Sequence, residues 1–518
     1  MGRVARVAAM AGVLAGALIA APAGASAADP RPQTIPALRI WSGGQGRTRL
    51  PRAVRIMVAS GSGKRLSPVA RLLASELRGR VIRSGPARAG DIVLSLGARD
   101  RRLGREGYAL RIDRTVNITG RTPGGVFYGT RTLLQLLHQS RRLSRGRAED
   151  WPRYPDRGLM IDLGRRMYPV AWIISEIKQL AYLKLNLLHL HLTDDQRWGI
   201  RSATHPEIVS AGALSRSEVK QILAVAARYH VTVVPEIDMP AHVGALLAAH
   251  PELELKAAGA LSPPQSPDSR KLDISNPAAL AVVKQLLDEY LPLFRGPYWD
   301  VGGDEYLTPA EEAAYPQLQL YAQQHYGPSA TTKDAILGFF NWVDGIVRAH
   351  HRKLWAWHDE LGGGTAVSAA PDIQASWWID FSPLSEPRPP TPQQLLDAGH
   401  AILNDGWFPT YYTEDLGPIQ GKPSMAKTYE TWEVNQFCSP TENDQFFEPC
   451  YVVSSTEPRN LGSTINAWDD RELSLAGLRT GLDPPLMVLA QKTWQSPELT
   501  ASYARFQRVM AAVGHRYT

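Results

Sequence analysis

From Arg157 to the end of the chain, short apolar runs recur, each closing on polar or aromatic residues and each followed by a helical pattern. The runs cover 159–163, 185–192, 231–237, 298–301, 354–357, 373–378, 400–403 and 463–467, eight in all. Parallel strands need long crossovers, usually helices, so strands that alternate with helices predict a parallel sheet. Eight such units over about 350 residues predict a closed (β/α)8 barrel with insertions. The rival, an open doubly wound sheet, places a Gly-rich phosphate turn after its first strand, and Asp162-Leu163-Gly164-Arg165-Arg166 is not one.

Ahead of the barrel, 55–59, 91–96, 108–112 and 116–119 read as strands, and 126–137 reads as a helix after Gly124-Gly125. The expected organisation is a small α/β accessory domain over 30–152 and a catalytic barrel over 153–518. Charge separates the two parts: residues 1–150 hold 27 Lys and Arg against 8 Asp and Glu, and the remainder holds 30 against 42. The basic residues lie scattered, without aromatic interleaving, so a solvated surface is expected and no nucleic-acid site; anionic wall polymers are the partner such charge suits.

Arg3 and Arg6, an apolar run over 7–21 and Ala25-Ser26-Ala27 have the three-part layout of a secretory leader, so 1–27 is expected to be removed near Ala27/Ala28. Its apolar core is shorter than the roughly 20 residues a membrane span needs, which implies no membrane association after cleavage. The excess of Arg over Lys, 45 to 12, points to a GC-rich bacterium and to export to the medium or cell surface. In an exported protein the two cysteines, Cys438 and Cys450, read as one local disulfide.

A parallel barrel builds its site where strands end. The residues there are Asp162; His189 to Asp195; Glu236 to His242; Gly302-Gly303-Asp304-Glu305-Tyr306; Trp357; Trp377-Trp378; the 407–412 segment; and Trp468-Asp469-Asp470. Carboxylates ringed by indoles describe a sugar pocket, because aromatic faces stack on pyranose C–H surfaces while acids protonate glycosidic oxygen. His189 and His191 have metal-ligand spacing, but only His358 adds a histidine from later strands, so buried supporting histidines are expected and no metal or other cofactor.

These residues resemble the family 20 glycoside hydrolases, the β-N-acetylhexosaminidases. The motifs are Arg157-Gly158-Leu159-Met160-Ile161-Asp162, Leu188 to Gln196, Val234 to His242, and Gly302 to Glu305; Gly107-Tyr108 and Gly125 to Gly129 are similar to that family's accessory domain. The resemblance implies an exo-acting retaining enzyme that hydrolyses terminal N-acetyl-β-hexosaminides. Two adjacent carboxylates are poorly placed as opposed nucleophile and acid, and in this family the substrate's own acetamido oxygen attacks, giving an oxazolinium intermediate. Glu305 is then the general acid and base, and Asp304 holds the acetamide N–H and balances its charge. By the same resemblance Arg157 grips the distal hydroxyls and Asp194 and His242 support the acid. Trp357, Trp468 and one of Trp377 and Trp378 wall the acetamide pocket; strand parity with Gln374 favours Trp378. Of Tyr411 and Tyr412, Tyr411 is taken as the acetamide partner.

Three positions depart from the family pattern. Asp300 replaces a common histidine and, if close to the acid pair, should raise the acid's pKa. The tyrosine segment aligns loosely. The family's Trp-x-Glu reads Trp468-Asp469-Asp470, so Asp470 contacts the outer hydroxyls through a side chain one methylene shorter. That leaves room for a further sugar, as in the related lacto-N-biosidases, which release a disaccharide. The monosaccharide-releasing reading is preferred, because one methylene seldom redirects specificity by more than about 3 kcal/mol. A non-catalytic carbohydrate-binding barrel and a metal-dependent amidohydrolase are the rivals from other classes. The first has no need of an acid beside its stacking platform, and the second is distinguished by sensitivity to chelators.

Overall fold

The computed structural model describes residues 31–82, 85–259, 270–380, 388–413, 424–439, 450–468 and 473–517. The first part forms a seven-stranded sheet of β1 (Ile40–Arg49), β2 (Arg55–Val58), β3 (Arg80–Ile82), β4 (Ile92–Leu96), β5 (Tyr108–Ile112), β6 (Val116–Gly120) and β7 (Arg142–Asp150). β4 pairs in parallel with β2 and β6, whereas β5 runs antiparallel to β6 and β7. Helices α1 (Gly63–Leu77) and α2 (Pro123–Gln139) pack against it. α1 buries Leu66, Val69, Ala70 and Leu73, the three-and-four spacing that turns one helical stripe to a core.

The barrel follows from β8 (Asp156–Asp162), β9 (Leu187–His191), β10 (Thr232–Glu236), β11 (Tyr298–Asp300), β12 (Lys353–Trp357), β13 (Gln374–Trp377) and β14 (Ile402–Asn404). After the short β15 (Tyr411–Tyr412), β16 (Gln436–Phe437) and β17 (Tyr451–Val452) comes β18 (Asn460–Ala467), which pairs in parallel with both β8 and β14 and closes a ring of eight. Each ring strand coincides with one of the eight apolar runs. In register, Asp162 lies beside His191, His191 beside Glu236, and Glu236 beside Asp300, so four ionisable residues share one tier at the C-terminal ends of consecutive strands.

The accessory domain caps the opposite end, where the strands begin. The buried Lys184 ammonium lies 2.9 Å from both the Asp150 carboxylate and the Tyr108 hydroxyl, and the Trp494 indole donates to Asp150 at 2.8 Å. Gln135 of α2 donates to the Tyr182 carbonyl at 2.9 Å. Arg157 belongs to this junction, which corrects its expected place in the sugar site. It is the second residue of β8 and fully buried. Its guanidinium donates to the carbonyls of Tyr154 and Lys184 and to Glu106 of the accessory domain at 2.8 Å. At about 3.3 Å per strand residue, roughly 17 Å separates it from Asp162 at the C-terminal end of the strand.

Cys438 and Cys450 form a disulfide with Cα atoms 4.3 Å apart. Among the described residues no helix is long and apolar enough to cross a membrane. Residues 1–27, the expected leader, and Asp470 lie outside the described residues.

Candidate active site

The loop after β11 sets the geometry. Gly302 and Gly303 have φ of 66° and 90°, and a Cβ would fall 2.0 Å from Asp238 Oδ1 at the first and 2.5 Å from the Phe340 ring at the second. Only glycine meets both demands. The Gly303 N–H donates to Asp238 Oδ1 at 2.8 Å, and the Glu305 N–H donates to Asp359 Oδ2 at 2.9 Å. Glu305 and His242 each take a left-handed φ of 54°, an uncommon and costly conformation for non-glycine residues that surrounding contacts must enforce.

His242 stands between two carboxylate pairs. Its Nε2 lies 3.7 Å from Asp304 and 3.5 Å from Glu305, and its Nδ1 lies 3.6 Å from Asp194 and 3.5 Å from Asp195. Burial disfavours the imidazolium, but Asp304, Asp194, Asp195 and Glu305 together outweigh it and raise the pKa of His242 well above the ordinary value. Asp194 is held in turn by His191 Nε2 at 3.0 Å and Arg165 at 2.9 Å. Burial works against its charge as well, yet those cationic partners keep its carboxyl well below the usual range.

The two acids of the pair differ. Burial, reinforced by Asp359, Glu305 and Glu236, pushes Asp304 up to about 8 against the opposing charge of His242. Its Oδ1 has no hydrogen-bond partner among the described residues. Glu305 is 49 % exposed, and although burial favours its neutral form, His242 and Arg165 hold its pKa below the ordinary value. One carboxylate is thus sunk and short of a donor, while the other reaches solvent.

Asp300 sits a layer deeper than the acid pair. It faces His189 Nε2 at 3.4 Å and accepts from the Gly302 N–H at 2.9 Å, and burial followed by Glu236 pushes it up to about 8. His189 and His191 both approach Glu236, at 3.0 and 2.7 Å. They buttress the tier beneath the mouth. Asp238, His242 and Asp304 converge closely enough to ligate a cation, as do the buried His205, the exposed Glu207 and the half-buried His250. In the first group Asp238 Oδ1 is committed to Gly303 and His242 is raised toward its charged form, which opposes ligation.

Aromatic rings close the other side. Trp357 donates from its indole to Glu236 at 3.0 Å, and its ring lies 6.3 Å from that of Trp468. Trp378 donates to Asp359 Oδ1 at 3.0 Å and lies parallel to Tyr411, centroids 6.1 Å apart. Tyr411 also meets Trp407 and Trp468, each at 5.8 Å. Trp377 turns away to His358, Phe437 and Tyr451, and the Tyr412 hydroxyl reaches the helix Leu475–Trp494, 1.6 Å from where a Gly481 Cβ would stand. Of each ambiguous pair, Trp378 and Tyr411 therefore join the cluster. β8 to β11 and their loops supply the histidines and the carboxylates facing them, and β12, β13, β14 and β18 supply the rings, with Asp359 bridging the two sets.

Arg165 and Asp359 are members of this site that the sequence reading did not single out, and Trp407 is one it named only as part of the 407–412 segment. Arg165 pairs with Asp162 and Asp194 at 2.9 Å each, and its guanidinium lies 5.0 Å over the Trp468 ring. The signal for it was strand direction: an arginine just past the end of β8 lies at the mouth, and one at its start cannot.

Comparison with known proteins agrees with this architecture. Residues 154–497 match the glycosyl hydrolase family 20 catalytic domain and residues 31–151 match domain 2 of the same family. A lacto-N-biosidase from Bifidobacterium bifidum is 32% identical over 463 residues, covering 86% of this chain and 38% of its own length. A beta-hexosaminidase from Porphyromonas gingivalis is 29% identical over 484 residues, covering 86% of this chain and 59% of its own. The chain thus spans well under two thirds of either relative. The GH20 beta-N-acetylhexosaminidase structure from Streptomyces coelicolor A3(2) shares the fold with a TM-score of 0.71 at 23% identity, over 94% of this chain and 95% of that one. With both of its domains matched and a relative this similar along most of its length, the chain belongs to glycosyl hydrolase family 20.

Proposed function

We propose that the protein is an exo-acting retaining β-N-acetylhexosaminidase that works by substrate assistance. The observation that carries this reading is that Asp304 and Glu305, neighbours in the chain, both approach one imidazole nitrogen of His242. Two-carboxylate retention needs the acid and the nucleophile on opposite sides of the bond, about 5 Å apart. Carboxylates gathered on one histidine leave the far face of the sugar without a nucleophile.

The 2-acetamido oxygen of the substrate fills that role. It attacks the anomeric carbon as the bond to the leaving oxygen breaks, and Glu305 delivers the proton that oxygen takes up. Asp304 Oδ1, which has no donor among the described residues, accepts the acetamide N–H once Asp304 has passed its proton on, and the carboxylate balances the charge on the oxazolinium ring. Glu305, now ionised, removes a proton from the water that reopens the ring. Trp357, Trp378 and Trp468 wall the acetamide, Tyr411 supplies a hydroxyl to its oxygen, and Arg165 takes the distal hydroxyls in place of Arg157. No cofactor enters any step.

Release of a disaccharide is the second reading, favoured by the identity to the Bifidobacterium enzyme. Hydrolysis of a chromogenic N-acetyl-β-glucosaminide and of the matching lacto-N-bioside separates the two. Release from the monosaccharide, lost in Glu305→Gln, supports the main reading; release from the disaccharide alone replaces it. The leader-like start of the chain supports export, and a mature N-terminus near residue 28 in secreted material is the expected observation.

A further inference from the structure

Where the accessory domain meets the N-terminal face of the barrel, a cavity of about 1330 Å³ opens at the end opposite Asp304 and Glu305. The beginnings of the strands form its floor, through Asp156, Asn186 and Tyr298. The loop 102–106 forms one wall, and the second α-helix of the barrel side, Arg216–Arg228, forms another. Six cations line it, Arg102, Arg105, Arg153, Arg216, Lys220 and Arg295, against two carboxylates, Glu106 and Asp156.

Both carboxylates are already engaged. Glu106 accepts from Arg157 at 2.8 Å and from Asn186 at 3.0 Å, and Asp156 is buried beneath the Tyr298 hydroxyl at 3.2 Å. Among the cations, Arg102 pairs with Asp100 and Glu149, and Arg153 donates to the Ser455 and Glu457 carbonyls. Arg105, Arg216, Lys220 and Arg295 are exposed, and among the described residues their side chains have neither an ion pair nor a hydrogen bond. Four unengaged cations around one concave surface focus a positive potential into it.

We propose that this cleft is a second carbohydrate site, which holds the carboxylate or sulfate groups of an anionic polysaccharide. Stacked bases are a poorer occupant, because the rings in the lining are already covered. Trp151 carries the guanidinia of Arg39 and Arg102 at 5.0 and 5.1 Å, Tyr154 carries that of Arg153 at 4.9 Å, Tyr298 lies against Trp355 at 4.9 Å, and Tyr128 is buried. Single-stranded nucleic acid needs open aromatic platforms, whereas a charged pyranose chain is held by ion pairs and hydrogen bonds to its substituents. The cleft contains no group that takes part in the chemistry at the other end, so this inference stands or falls apart from the hexosaminidase reading.

The test measures binding of the full chain to hyaluronan, which bears carboxylates, to dextran sulfate, to neutral chitin oligosaccharides and to a single-stranded oligodeoxynucleotide. Wild type is compared with Arg105→Glu/Arg295→Glu and with Arg65→Glu/Arg71→Glu, which changes charge equally at two exposed positions of α1 outside the cleft. Arg216→Ser/Lys220→Ser repeats the comparison should the first variant misfold. One of the two anionic polysaccharides binds wild type, and which one identifies the anion. The cleft variants lose at least about tenfold in affinity, the α1 variant keeps it, and salt weakens binding. Hydrolysis of a small chromogenic substrate stays unchanged throughout. The proposal is overturned by no binding to either polysaccharide, by equal losses in cleft and α1 variants, or by oligonucleotide binding as tight as that of the polysaccharide.

Discussion

Arg157 and Arg165 bracket β8 and do different work. Arg165→Met, which removes a charged partner of Asp194 and a cation over Trp468, should lower kcat/KM about 10- to 100-fold with little change in melting temperature. Arg157→Met strands Glu106 at a buried junction and should cost about 3 kcal/mol of stability by denaturant unfolding, while the folded fraction keeps its KM. At Glu305, the Gln variant should lose roughly a hundred- to ten-thousand-fold in kcat/KM. The pH profile carries a further signature. Near neutrality the one proton of the Asp304–Glu305 pair rests on Asp304, pushed up to about 8, and must pass to Glu305 in the reactive form, so activity falls as pH rises through about 8, where that proton leaves. Asn at 304 removes the neighbouring negative charge, so Glu305 gives up its proton more readily and the alkaline limb should move down by about one unit or more. An unmoved limb would separate the two groups. Residue types at strand ends were legible in the sequence because the chemistry restricts them. What the sequence could not convey was a second carboxylate such as Asp359, whose partners, the Glu305 N–H and the Trp378 indole, come from elsewhere in the chain.

Elements behave more predictably than side chains wherever both faces of a strand are buried. All seven residues of β8 are buried, and such strands leave continuous apolar runs in the sequence. β1 leaves no such trace, because most of its residues are exposed and its sequence is rich in Gly and Arg; pairing with β7 at the edge of the sheet makes it a strand. The turn after β11 carries the adjacent carboxylates Asp304 and Glu305. Gly303→Ala sets a methyl group against the Phe340 ring at a φ suited to glycine and should destabilise the protein by about 1–3 kcal/mol. Its activity should fall further than its folded fraction, measured by activity per folded molecule. The disulfide closes a separation of 12 residues, worth about 3 kcal/mol, and Cys438 bridges Phe408 beside Trp407. Cys438→Ser/Cys450→Ser should therefore raise KM as well as lower the unfolding midpoint.

At the scale of the whole molecule, the junction between domains is polar and buried, with Lys184, Asp150 and Arg157 each satisfied across it or beside it. The barrel expressed alone would leave Lys184 and Arg157 without their carboxylate partners Asp150 and Glu106, and it should be recovered insoluble while the two-domain chain is not. The division of the barrel ring has a different kind of consequence. The histidines and the carboxylates facing them come from four consecutive strands, and the aromatic rings come from the four that follow. A lineage can therefore replace or lengthen the loops of the second half and explore new glycans without re-solving the acid–base problem each time. Drift in specificity should gather in that half of the chain while the first half changes slowly.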